Sequence, residues 1–159
     1  MSWASLEFAN FGGIRLEFAD FRYAKLTEAD FRQSVSCRAA VFDTAYMRES
    51  NLAGVDATAA DFDSASLVEA SLEGAILNRA TLEGADLRHA KLVDVSAIGA
   101  SFRYAQLVGV DFTRALLMNA SFEGADVTGA NYGYSNVKGA KFAGARGVDS
   151  ADFTAALLL

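Results

Sequence analysis

Leu or Phe returns at every fifth residue along almost the whole chain, beginning with Leu6, Phe11, Leu16, Phe21, Leu26 and Phe31. The phase slips by one residue around Arg32, Gln33 and Ser34, resumes at Cys37, Phe42, Met47 and Leu52, and holds to Phe142. Of 28 such centre positions, 21 are Leu or Phe, and the residue two places before the centre is Ala in 21. A period of five matches neither the 3.6 of a helix nor the 2 of an ordinary strand. It does match a very short extended segment, with two inward residues flanking one outward residue. The remaining two residues must then turn a corner. Four such sides close a coil of 20 residues, and a super-period of that length is present. Reading every twentieth residue, with the slip allowed for, gives Phe21, Phe42, Phe62, Leu82, Phe102, Phe122 and Phe142. The next side reads Leu6, Leu26, Met47, Leu67, Leu87, Leu107 and Val127. The predicted fold class is all-β, a quadrilateral coil of about seven turns with its apolar residues stacked inside.

Ten of the 13 glycines fall two residues after a centre, at the corner, where a positive φ suits Gly. Proline is absent, as expected where most backbone N–H groups donate to a neighbouring coil. Core volume is traded within a side: Val35 accompanies Cys37, Val55 accompanies Ala57, and Val95 accompanies Ala97. The units Ala19-Asp20-Phe21, Ala29-Asp30-Phe31, Ala60-Asp61-Phe62 and Ala85-Asp86-Leu87 look like the A(D/N)LXX unit of the pentapeptide repeat family. The resemblance runs from residue 4 to about 145 and implies a right-handed quadrilateral β-helix. The expected organisation is therefore a solenoid over 1–145, followed by a cap or self-association segment over 146–159.

The ends of such a stack need covers. Trp3 is the expected lid at the N-terminal end. The pattern breaks at Arg146-Gly147-Val148. Beyond it, Asp149 or Ser150 caps a short helix, or Ala151-Asp152-Phe153 forms one more side. Phe153, Leu157, Leu158 and Leu159 then cover the last coil or meet a second copy in a homodimer.

Signals for catalysis are sparse. Cys37 takes a centre position as a buried thiol, and His89, the single histidine, takes an outward one. The pattern offers no multi-cysteine or paired-histidine metal site and no phosphate-binding glycine loop, so no cofactor is expected and the chain reads as a non-enzyme. The threonines are scattered, which argues against an ice-binding ladder. The start lacks the basic and apolar regions of a secretory signal, and no apolar run reaches the roughly 20 residues that span a bilayer. The expected setting is the cytoplasm.

Charge is the informative surface feature. The chain carries 20 acids and 14 Lys plus Arg, a net charge of -6. Such a balance, with no basic run, argues against direct nucleic-acid binding. Seven acids and one base lie between Asp43 and Glu73. The sequence thus places an acidic strip, Asp43, Asp61, Asp63, Glu69, Glu73 and Glu83, on the middle coils, and a protein with a basic surface is the partner it suits. Proteins similar in repeat include quinolone-resistance and antibiotic self-protection factors that mimic DNA and bind DNA gyrase or topoisomerase IV. The resemblance implies that role, although the Cys those proteins often carry at the small inward position is Ala here, and long projecting loops are absent. The other function class is a structural scaffold or assembly module.

Overall fold

A computed structural model describes residues 1–34 and 36–158. Every regular pairing in it is a parallel bridge between an outward residue and its counterpart one coil later, as in Ser5 with Lys25, Lys25 with Tyr46, and Tyr46 with Ser66. Bridges recur every five residues and join positions 20 apart, or 21 where a coil holds an inserted residue, so four sides make a coil. We number the sides by their centres: side 1 begins at Leu6, side 2 at Phe11, side 3 at Leu16 and side 4 at Phe21.

The five-residue unit follows from where its backbone donors go. The centre N–H crosses to the next coil, as Leu6 N to Lys25 O at 2.8 Å, and the outward residue donates back, as Lys25 N to Ala4 O at 2.9 Å. Each corner closes on the centre carbonyl, as Ala9 N to Leu6 O at 3.1 Å, while the second corner residue donates forward, as Phe8 N to Thr27 O at 3.0 Å. That leaves the N–H of the first corner residue. The side chain of the outward residue takes it: Asp20 Oδ1 accepts from Arg22 N at 3.0 Å, Asp61 Oδ1 from Asp63 N at 3.0 Å, and Asn131 Oδ1 from Gly133 N at 2.8 Å. Asp or Asn precedes the centre because its short acceptor reaches this donor two residues on. The second corner residue has positive φ throughout, at Phe8 (61°), Glu69 (60°) and Gly54 (71°) alike. With so many N–H groups engaged, Pro has almost no place in the unit.

The centres form the core. Phe42, Phe62, Leu82 and Phe102 are all completely buried in one column on side 4, as the 20-residue reading predicts. Phe21, Phe42 and Phe62 stack face to face at 5.1 and 4.8 Å, and Phe102, Phe122 and Phe142 repeat this at 5.1 and 4.8 Å. A second aromatic column stands on side 2, where Phe112, Tyr132 and Phe153 stack at 5.1 and 4.7 Å. The two columns meet edge to face across the interior, as at Phe112–Phe122 (5.8 Å, 83°). Val55 with Ala57 and Val95 with Ala97 are buried together, as the volume trade requires. The third pair includes Val35, which lies outside the described residues. Tyr132 is fully buried, its hydroxyl has no hydrogen-bond partner among the described residues, and desolvation raises its pKa. Tyr132→Phe should therefore raise stability by about 1 kcal/mol in urea denaturation, because an unpaired buried hydroxyl is a net cost. A loss of similar size would show that the hydroxyl has a partner.

At the N-terminal end the structure departs from the sequence reading. Trp3 is not a lid: it is a corner residue with φ 62°, it is 74% exposed, and its ring stacks on Tyr23 at 4.4 Å. A corner position carries the side chain off the rod rather than over its end. At the other end the repeat resumes after Arg146. Gly147 and the 3-10 turn Val148–Ser150 absorb one extra residue, after which Asp152 bridges Asn131 and Leu157 bridges Asn136, each 21 positions apart. Of the two forms expected there, the structure shows the extra extended side. Neither Asp149 nor Ser150 caps the turn; Gly147 precedes it with no side-chain cap. Across the insertion near Gln33, Arg15 bridges Ser36 at a separation of 21, and the stack continues. Among the described residues, no helix is long and apolar enough to cross a membrane.

Candidate functional site

Side 4 and its corner carry Asp43, Asp61, Asp63 and Glu83 in three consecutive coils, about 4.8 Å apart along the axis. All four are half-buried, and none pairs with a base among the described residues. Each is held by one oxygen. Asp43 Oδ1 accepts from Thr44 Oγ1 at 2.9 Å, and Asp61 Oδ1 accepts from Asp63 N. Asp63 Oδ1 accepts from Glu83 N at 2.8 Å, and Glu83 Oε1 accepts from Ser101 Oγ at 3.0 Å. The second oxygen of each carboxylate accepts no hydrogen bond among the described residues. The face therefore presents four oriented carboxylates; Arg22 and Arg103 lie near enough to Asp43 and Glu83 for their charges to interact, but neither forms an ion pair with them.

The other two acids of the predicted strip lie elsewhere. Glu69 is an exposed corner residue after side 1, tied to Arg48 at 3.0 Å, which also reaches Glu49 at 2.8 Å. Glu73 is exposed on the corner after side 2. The remaining acids are largely matched. Arg22 grips Asp20 with two hydrogen bonds and holds its carboxyl down at about 2. Arg32 does the same to Asp30, Arg88 to Asp86 and Arg114 to Asp94, lowering each carboxyl pKa. The sequence reading missed this division between structural, paired and free acids. One signal was available, since an arginine two residues after an outward Asp reaches back to it.

Among the C-terminal residues, Phe153 is partly buried on the side 2 column, whereas Leu157 and Leu158 are 60% and 59% exposed. Leu159 lies outside the described residues. Cys37 is buried on side 3, and burial pushes its thiol up to about 11.

Parallel-bridged coils built from A(D/N)LXX units define a repeat-built β protein. The chain belongs to the pentapeptide repeat family: the family model, described as Pentapeptide repeats, matches in eight copies over residues 1–35, 65–103 and 98–131. It is similar to solved structures of that family. Rfr23 from the cyanobacterium Cyanothece 51142 is 25% identical over 62% of this chain and 64% of its own, with a TM-score of 0.54. A protein of the Arabidopsis thaliana thylakoid lumen is 29% identical over 68% of this chain and 71% of its own, with a TM-score of 0.51. A trypsin-treated form of QnrB1, a plasmid-mediated fluoroquinolone resistance protein, is 16% identical over 98% of this chain and 90% of its own, with a TM-score of 0.61. No curated protein sequence matches the chain. These neighbours imply a right-handed β-helix.

Proposed function

We propose that this protein is a non-catalytic, cytoplasmic binding rod of about seven right-handed coils, whose acidic face on side 4 docks on a basic protein surface. The observation that carries this reading is the set of four carboxylates, Asp43, Asp61, Asp63 and Glu83, each anchored by one oxygen and presenting the other. An axial spacing of about 4.8 Å places them like a row of duplex phosphates on a narrow frame. A DNA-binding saddle rich in Lys and Arg is complementary to such a row, so the partner class we propose is a type II topoisomerase, DNA gyrase or topoisomerase IV. QnrB1, described as a fluoroquinolone resistance protein, shares the fold, and the reading gives this chain a comparable role in modulating inhibition of the enzyme.

Charge-steered association weakens steeply with salt. Asp63→Asn combined with Glu83→Gln should keep the fold, because each amide retains an acceptor oxygen, yet slow association and reduce inhibition of supercoiling. Replacing Arg79 and Lys138 should do much less. If the wild-type protein neither binds nor inhibits gyrase or topoisomerase IV at low salt, the topoisomerase reading is wrong.

The exposed Leu157 and Leu158 support a second contact, between copies of the chain. Under this proposal, Leu157→Ser with Leu158→Ser gives a monomer by light scattering where the wild type is a dimer. A wild-type monomer at high concentration would remove it.

A further inference from the structure

Aromatic residues are exposed together near the start of side 1. Trp3 and Tyr23 occupy the preceding corner in successive coils, stacked at 4.4 Å and 14°. Tyr46, an outward residue two coils after Ser5, is 54% exposed beside them. With Glu7, Lys25 and Thr27 they line a groove of about 360 Å³, within the range of small-ligand sites. The lining is largely aromatic, and its charged groups are Lys25 and Glu7.

Lys25 differs from its basic neighbours. Arg15, Arg22, Arg32 and Arg38 each lie within 4 Å of a carboxylate, at Glu17, Asp20, Asp30 and Asp56. Lys25 has no such partner among the described residues, although Glu7 lines the same groove. A box of three aromatic rings by itself would favour a cation. The ammonium of Lys25 gives an anionic group a partner there, and Glu7 leaves an acceptor for a donor. We propose that this groove binds a planar aromatic anion, with the ring laid on the Trp3–Tyr23 wall, Tyr46 against it, and the acidic group at Lys25. Glu7 is available to accept from an N–H on the ring, so nitrogen heteroaromatic acids are the class that suits both charged lining groups. The groove adjoins the acidic face on side 4, Tyr23 N donating to Asp43 O at 3.2 Å, but neither site needs the other.

Indole-3-acetate is a suitable probe, with indole as its uncharged counterpart, in amide-shift NMR titrations of the full chain. The expected result is saturable shifts confined to the groove and about fivefold weaker binding of indole, the factor one exposed charge pair supplies. Lys25→Met should bind the two probes alike. Trp3→Ala should lose both while keeping the circular dichroism of the fold, since the side chain is mostly exposed. Shifts that fail to saturate or that spread along the rod would overturn the proposal. So would a Lys25→Met protein that still prefers indole-3-acetate, or a Trp3→Ala protein that binds normally.

Discussion

Replacing Phe122 with Ala should cost about 3–5 kcal/mol, the range for removing a buried aromatic ring. Phe122 is completely buried and meets four other rings: Phe102 and Phe142 face to face at 5.1 and 4.8 Å, Phe112 and Tyr132 edge to face at 5.8 and 5.6 Å. Its column neighbours are held by their own backbone bridges and cannot slide inward, so the cavity stays largely open. Phe18→Ala provides the comparison. Phe18 is a corner residue, 79% exposed, and its loss should stay within about 0.5 kcal/mol. Chemical denaturation of the two variants measures the difference directly. Similar losses would mean that centre and corner positions had been confused.

In a stacked solenoid each coil contacts only its neighbours, so the damage is not shared evenly. The loss at Phe122 falls on the coils from Phe102 to Phe142. Hydrogen exchange should accelerate there while the bridges around Phe42 and Phe62 stay protected.

The inward half of this molecule was readable because burial repeats. Each centre has the same surroundings on every coil, so one residue type is selected again and again, and Phe11 through Phe142 announce the register. The outward half was harder to read because one residue type serves different ends. Asp20, Asp30 and Asp86 close their own turns and hold an arginine as well, while Asp61 closes a turn and has no base beside it. An arginine two residues on separates these cases, and that much is local. Glu69 illustrates the limit: its partner Arg48 is 21 residues away, one coil back, and no local pattern reveals it. Trp3 was misplaced for a related reason. Its aromatic character suits a lid, but two residues after a centre the backbone is left-handed and the side chain leaves the rod, whatever its chemistry.

The one-residue insertion near the C-terminal end rests on a single glycine, and Gly147→Ala should be the most damaging of the glycine changes. Gly147 has φ 76°, which costs an L residue about 1–2 kcal/mol. That alone is tolerable in this fold, since Ala39 and Ala59 hold φ of 51° and 57° at ordinary corners. Space makes the difference. A methyl group at Gly147 would lie 2.5 Å from Cα and 2.6 Å from the amide N of Thr128, on the coil beneath, whereas one at Gly54 would meet nothing within 4 Å. The obstacle is backbone, and Thr128 is itself tied into its coil, Gly109 N donating to its carbonyl at 3.0 Å. The turn over Val148–Ser150 must therefore lift, and with it the bridges from Asp152 to Asn131 and from Leu157 to Asn136. Phe153 would leave the face of Tyr132. Overpacking against a fixed neighbour adds about 1–3 kcal/mol to the conformational cost, so the combined effect is about 3 kcal/mol. Detachment of the last turn limits it, because releasing residues 147–158 relieves the clash without unfolding the rod. Limited proteolysis should therefore cut the Gly147→Ala protein after residue 146 while leaving 1–145 intact. Gly54→Ala should lose only about 1–2 kcal/mol and show no new cleavage. Equal effects at the two glycines would mean that φ alone governs the insertion and that contact with Thr128 plays no part.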